Sequence, residues 1–576
     1  MRNGWGKSIL AAASMCTGGA ALAQETPPPP PDLPTRGQIE QNLPENQRPE
    51  PSRARIDTSK AMAHPPCALE QSDVRVNLTS LSLEKPDGSA LAPELQSLLA
   101  GVDADLHGEQ PIAVVCQVRD RINARLGEAG YVALAQIPGQ QISNGVLHVQ
   151  VVTARIVEVR IVGDPGPFRS LLEERVAQIR ALEPLNRHDA ERILLLTGDT
   201  PGLDVQLALS AANGTPGDVI GTLTVETRRF ALLANVQNYG SHELGRWIGS
   251  VRGEAYGLTG MADRTYLAFS NAFDWKEVRV LQAGHDFTLA DNGLRMGLRG
   301  SLAWSRPDIE NLDLRSRSTI AGLDLTMPIR RTVRQTISAT TGFEFLDQKS
   351  DIHASDTTLP FTSDKLRVLY ARIDYDLSFL DGNSELVRAA GSLELRKGLD
   401  IFGATKEGLI SGQAAPSRLF GNPTATVVKG NLDLAIKPHP MFELDLGGFG
   451  QWANDPLLNL EEFSVGNYTR GRGYDPGANG GDRAYGFTIE PRIKLPIANF
   501  SVQASGFYDW VHLENLDPGT NEPKRTLRSV GGGLRFILPQ RLVIDLTYAH
   551  PLDKVLSTDA KKPADRLLIS LTAKLF

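Results

Sequence analysis

The residues best equipped for chemistry lie in one stretch, positions 465–482, reading V-G-N-Y-T-R-G-R-G-Y-D-P-G-A-N-G-G-D. Its arginines carry fixed positive charge on planar donor forks, its tyrosines carry hydroxyls on apolar rings, and its glycines let backbone approach a neighbouring wall closely. That set suits the grasping of carboxylates, not the making of bonds. The segment has neither helical nor strand periodicity, so it reads as a loop, and a glycine-rich surface turn is the plainer alternative. Catalytic arrangements are missing elsewhere. There is no G-x-S-x-G elbow, no H-E-x-x-H and no P-loop, and the ten histidines are scattered. Gly471 and Gly473 lack the spacing and the following helix that a dinucleotide site requires. Asp374, Asp376, Glu490 and Asp509 could mimic a catalytic pair, but a polar barrel wall needs such charges anyway. The chain therefore reads as a non-enzyme, and no cofactor or metal is expected.

The elements beside this loop alternate strictly. Between 483 and 495, Tyr485, Phe487, Ile489, Pro491, Ile493 and Leu495 share one face, and Thr488, Glu490, Arg492 and Lys494 the other. In the next segment Val502, Ala504, Tyr508 and Trp510 oppose Ser501, Gln503, Ser505 and Asp509. Strands that are apolar outside and charged inside form a transmembrane β-barrel with a polar lumen. Sixteen such segments begin near 230, 246, 264, 276, 294, 315, 333, 364, 385, 425, 441, 482, 499, 526, 541 and 565. That is roughly 22 residues per strand and turn, enough for the nine to eleven that a tilted strand needs to cross. The barrel is expected over 230–576, with the stretch 454–481 folded inward as a loop. The chain ends on Phe576, an aromatic end suited to recognition by barrel-assembly machinery, although Leu567, Ile569, Leu571, Ala573 and Leu575 form the apolar face and put Phe576 out of phase.

Composition agrees with an exported, multidomain chain. Its 576 residues suggest two to four domains, and 41% hydrophobic with 6% aromatic content is ordinary for a folded protein. No apolar run is long enough for a helical membrane span, while a mean hydropathy of −0.20 leaves a barrel open because alternation halves the apparent hydrophobicity. A net charge of −7 gives no support for nucleic-acid binding. Residues 1–23 read as an export signal: Arg2 and Lys7 precede a small and apolar core, and Ala21-Leu22-Ala23 fits the cleavage site. Cys16 lies within it, after a Met15 that suits lipoprotein processing poorly. Cys67 and Cys116 remain. In an oxidising compartment a bridge between them is expected, the alternative being two unrelated buried thiols.

Residues 24–66, opening with five prolines, read as a linker or arm, in which 35–43 could form about two helical turns before Pro44. Two α/β modules follow, each ordered β-α-α-β-β, over 67–153 and 154–229. In the first, Val114, Val118, Ile122 and Leu126 form a helical stripe ended near Gly130; in the second, Leu171, Leu172, Val176 and Ile179 do the same.

That tandem order, with G-Y-V at 130–132, I-S-N-G-V-L-H-V-Q-V-V at 142–152 and L-L-L-T-G-D-T-P-G-L at 194–203, resembles the POTRA modules of two-partner secretion transporters, the FhaC, ShlB and HecB group. The first hairpin is similar too, through N-Y-G-S at 238–241, G-R-W at 245–247 and G-L-T-G-M-A-D-R at 257–264. R-G-Y, formed by Arg472, Gly473 and Tyr474, resembles the core of the family's loop-six motif, and Phe507-Tyr508-Asp509 its partner strand. The resemblance spans roughly 66–576. It implies two tandem α/β POTRA modules before a sixteen-stranded antiparallel transmembrane β-barrel, in a bacterial outer membrane with the modules in the periplasm. It implies a secreted partner exoprotein of adhesin, haemolysin or toxin type, carried unfolded, with barrel-assembly machinery, periplasmic chaperones and the lipid bilayer as further partners and no nucleic acid. It places Arg472 against Phe507 and Asp509, and it allows an amino-terminal helix in the pore. A barrel-assembly factor of the BamA type is the alternative, but such proteins usually carry three or more modules.

Overall fold

The computed structural model describes residues 33–40, 54–62, 65–104, 106–142, 144–309, 312–354, 357–381, 384–466, 470–476, 480–497, 500–539 and 541–575. The export signal expected over 1–23 and the terminal Phe576 lie outside the described residues. The described part opens with a short helix, α1 (Arg36–Glu40), and a strand, β1 (Arg55–Lys60).

The first module holds β2 (Arg75–Leu78), β3 (Ser80–Glu84), α2 (Pro93–Leu98), β4 (Gly108–Pro111), α3 (Val114–Glu128), β5 (Ala133–Gln136) and β6 (Val146–Thr153). Pro93 begins α2, where its missing N–H costs nothing. The α3 stripe of Val118, Ile122 and Leu126 is wholly buried against Leu147, Val149 and Val151 of β6, so helical and strand periods meet in one core. Gly130, at φ +85°, turns the chain after α3; a Cβ there would lie 2.4 Å from the His188 ring. Cys67 and Cys116 are bridged, with Cα atoms 5.9 Å apart, tying the entry of the module to α3. Maleimide labelling of the purified, unreduced protein is accordingly expected to leave both cysteines unmodified, and removal of the bridge to cost about 2 to 5 kcal/mol of module stability. Full labelling of both without reductant would contradict the pairing.

The second module holds β7 (Arg155–Val162), α4 (Arg169–Arg180), α5 (Arg187–Gly198), β8 (Leu203–Ala211) and β9 (Asp218–Thr227). Asn186 caps α5, its side chain accepting the His188 N–H at 2.9 Å. The sheet runs β1-β8-β9-β7, with β1 parallel to β8 and Ile56 opposite Leu207. This corrects the reading of 24–66 as linker and arm throughout: 54–61 supply a strand, and Ala54 and Ala61 are buried in the module core. The strand escaped notice because it is short and polar, and its partner lies some 150 residues away in sequence, beyond any local pattern. The modules are stitched together by Val132 N–H to Leu185 O at 3.1 Å and Ala154 N–H to Val132 O at 2.7 Å.

The barrel strands are β10 (Phe230–Gln237), β11 (Ile248–Tyr256), β12 (Arg264–Ala272), β13 (Val278–Thr288), β14 (Arg295–Ser305), β15 (Asp313–Arg331), β16 (Gln335–Ala354), β17 (Thr357–Asp381), β18 (Ser384–Gly398), β19 (Thr426–His439) and β20 (Phe442–Ala453). Two-residue strands β21 (Phe463–Ser464) and β22 (Gly480–Gly481) pair within the long loop. The wall resumes with β23 (Arg483–Ile497), β24 (Phe500–Glu514), β25 (Lys524–Leu538), β26 (Leu542–Pro551) and β27 (Arg566–Lys574). Antiparallel pairing runs through sixteen strands and closes β27 on β10, abolishing free edges. Strands β15, β16 and β17, at 19, 20 and 25 residues, exceed what a crossing needs and project beyond it. The segment expected to begin near 364 begins at 357. Pro360, which argues against a strand interior, and a register shift opposite it obscure the alternation of Leu359 and Phe361 there.

Candidate functional site

The loop between β20 and β23 enters the barrel. Its apolar side chains, Val465 and Tyr474, are buried with Ala484, Val511, Leu513 and Leu527 of the wall. Between them Arg472 turns to β24. Its Nη2 donates to Asp509 Oδ1 at 2.8 Å, its Nε to Oδ2 at 3.0 Å, and its backbone N–H to Oδ2 at 3.0 Å. Nη1 reaches a second carboxylate, Glu490 on β23, at 2.6 Å. The guanidinium carbon lies 3.5 Å from the ring centroid of Phe507. Asp509 has no exposed surface and also accepts from Thr488 Oγ1 at 3.0 Å. A planar fork fits this pair of carboxylates, and an ammonium would not.

Two glycines permit the approach. Gly471 has φ +65°, and a Cβ there would lie 2.3 Å from the Val465 side chain; one on Gly473 would lie 2.8 Å from that of Ser529. Tyr474 is fully buried, its hydroxyl donating to Arg528 O at 2.7 Å and accepting the Asp553 N–H at 3.0 Å. Arg566, on β27, closes the loop tip from the other side by donating to the carbonyls of Gly466 at 3.0 Å, Arg472 at 3.3 Å and Tyr474. Sequence reasoning did not single out Arg566. Its place on the polar face of β27 was the available signal, although alternation says nothing of what a side chain meets inside.

The base of the loop is pinned separately. Asp482, without exposed surface, accepts the N–H groups of Leu457 and Leu516, each at 2.7 Å, and pairs with Arg418 from the segment joining β18 to β19. Arg418 also reaches Glu462 at 2.8 Å and Asp517 at 2.6 Å.

Helix α1 shares the lumen. Five residues cannot hold a helix alone in water, so the surroundings must. Ile39 is buried among Val280, Ile320, Leu346, Leu366 and Leu460. Arg36 pairs with Glu344 on β16 at 2.7 Å, and Glu344 with Arg396 on β18 at 2.6 Å. Arg396 in turn pairs with Glu461 of the loop, also at 2.6 Å. Helix, wall and loop thus form one ladder of alternating charge. Arg396 is its centre, with 1% of its side chain exposed.

The second module bears on the turns at one end of the barrel. Arg331 donates to both carboxylate oxygens of Asp199 at 2.7 and 2.8 Å, and Arg175 to Asp291 O at 2.9 Å. In the turn between β11 and β12, Asp263 accepts from Leu258 N at 3.0 Å and from Thr259 N and Oγ1 at 2.9 and 2.6 Å. Burial alone would raise its carboxyl, but the Thr259 and Leu258 donors hold it below the ordinary carboxylate range.

A closed sixteen-stranded barrel preceded by two α/β modules, its lumen filled by a charged loop and a helix, is the architecture of an outer-membrane transporter. Residues 219–536 match the family described as haemolysin secretion/activation protein ShlB/FhaC/HecB, and the chain belongs to that family of two-partner secretion transporters. It is 24% identical over 449 residues to the heme/hemopexin transporter protein HuxB of Haemophilus influenzae, covering 73% of this chain and 74% of that protein. The fold is similar to that of CdiB from Escherichia coli, with TM-score 0.68 and 17% identity over 90% of this chain and 94% of the other. CdiB from Acinetobacter baumannii is similar at TM-score 0.63 and 15% identity, over 88% and 91%.

Proposed function

We propose that this chain captures one extended exoprotein through POTRA modules at 67–153 and 154–229, held in the periplasm, and passes it through the barrel at 230–576. The observation that carries the reading is the lumen itself. It is occupied by a loop and a helix held largely through ion pairs and hydrogen bonds, contacts that can be exchanged one at a time, beside small apolar clusters around Ile39, Val465 and Tyr474. An empty porin has no use for such a filling, nor for two modules before the barrel. An unfolded cargo carries unpaired backbone groups, and an open sheet edge is a template for them. In the second module the sheet ends on β1 and β7, and of these two edge strands β7 exposes Val157, Ile161 and Val162.

The cargo is an exoprotein of adhesin, haemolysin or toxin type, encoded beside the transporter. No nucleotide motif exists in the chain, so folding of the cargo outside would supply the drive. Barrel-assembly machinery and periplasmic chaperones insert the barrel. Co-expression with the neighbouring exoprotein gene in a host lacking both is expected to release that product into the medium only when this chain is present. Equal release without the transporter would overturn the reading.

A further inference from the structure

At the end of the barrel away from the modules, the outward surface of β13 to β17 changes character within a few residues. Leu298, Leu323, Phe343 and Leu369 stand directly opposite one another across β14 to β17, an apolar row facing outward. On β15 the outward apolar positions run from Ile329 near the modules to Ala321, and Arg317 follows four residues beyond. Tilted strands carry an apolar band about 25 Å tall, so Arg317 falls just past its edge. There the register row reads Arg279, Trp304, Arg317 and Lys349 on β13, β14, β15 and β16. Trp304 marks the interface, as aromatic girdles do, and the Arg317 guanidinium lies 5.9 Å from its ring centroid. Lys365 on β17 lies diagonally beside Lys349.

Arg317 and Lys349 are direct cross-strand partners and both are exposed. Like charges so placed repel and weaken the pair, and a sheet ordinarily opposes them with carboxylates. Two of the nearby acids are paired elsewhere, although Asp347 also stands opposite Lys365 in the register. Asp347 holds Arg367 at 2.6 Å, and Asp313 holds Arg306 and Arg315 at 2.7 and 2.9 Å. Asp351 stands opposite Arg315, one row further out. Among the described residues, no carboxylate lies within ion-pair distance of Arg279, Arg317, Lys349 or Lys365.

We infer that this ridge binds phosphorylated lipid head groups of the membrane leaflet remote from the modules, a phosphate bridging Arg317 and Lys349 while Arg279 and Lys365 flank it. The chemistry is that of phosphate monoesters on a lipid A-type head group, whose acyl chains would lie along the Leu323 and Phe343 row. An anion between the two cations turns their repulsion into two charge-assisted contacts. The inference rests on the proposed orientation, with modules in the periplasm.

The test uses the full chain purified in detergent and titrated with diphosphorylated lipid A, a zwitterionic phospholipid or inorganic phosphate, bound lipid being counted by native mass spectrometry. The native protein should retain the phosphorylated lipid, and R317Q/K349Q should lose affinity about tenfold. Heat-modifiable migration on gels should be unchanged in that variant, showing an assembled barrel. Equal binding by both proteins, equal retention of the zwitterionic lipid, or displacement by inorganic phosphate at matching concentration would each overturn the inference. Lys349→Cys reports orientation independently. It should react with an impermeant maleimide on intact cells, and reaction only after lysis would overturn the orientation itself.

Discussion

Arg472→Ala is expected to reduce secretion of the partner exoprotein at least tenfold while the barrel still assembles. The substitution strands Asp509, whose side chain is 0% exposed, with only the Thr488 and Ser529 hydroxyls as side-chain partners, while Glu490, 12% exposed, keeps Arg492 at 2.8 Å. Breaking a buried pair costs about 3 to 5 kcal/mol, against 0 to 1 for an exposed one. The loop tip would relieve that cost by leaving the wall, taking Tyr474 and the Arg566 contacts with it. Arg472→Lys should rescue poorly, because one ammonium cannot engage two carboxylates as the fork does. Asp509→Ala should also impair secretion, and the double variant should be little worse than either single one, since the three groups act as a unit. Secretion into the medium and heat-modifiable gel migration measure the two effects separately. Normal secretion by Arg472→Ala, or additive losses in the cycle, would return the segment to a surface turn.

The second large effect is expected from Arg396→Ala. This side chain joins Glu344, which holds α1, to Glu461, which belongs to the loop, and its loss leaves Glu461 with Lys429 at 3.4 Å. Glu344 keeps Arg36 and Arg299, so the cost of breaking a buried pair, about 3 to 5 kcal/mol, falls mainly on Glu461. Single channels of the purified variant in planar bilayers should conduct several-fold more than those of the native protein, as helix and loop release the lumen. Deleting 33–40 should move conductance the same way, and adding the deletion to Arg396→Ala should change little. Arg36→Ala should do less than either, because Arg396 and Arg299 still neutralise Glu344. Unchanged conductance in Arg396→Ala would show that the ladder does not hold the filling in place.

Much of the architecture could be read without coordinates because its signals are local. A strand facing lipid on one side and water on the other must alternate, and a helix packed on a sheet must repeat its apolar residues every third or fourth position. Those constraints gave the order of the second module, the sixteen wall segments and the inward faces of β23 and β24, but in the first module they missed β4, a four-residue strand between the two helices. The faces carrying Glu490 and Asp509 were therefore legible, and so was the loop character of 465–482. Alternation assigns a side and no height or neighbour. That one fork takes both carboxylates, that Arg566 grips the loop tip, and that Arg418 fastens its base are matters of tertiary structure, because these groups meet across 18 to 100 residues of chain. The same holds for 54–61, whose strand exists only because β8 offers an edge, and for α1, too short to persist without the Glu344 and Ile39 contacts supplied by a wall far along the chain. By itself the sequence determined which faces are polar and in what order the elements come. Only closure of the barrel decided which charges meet, because an ion pair depends on where two distant strands bring their side chains.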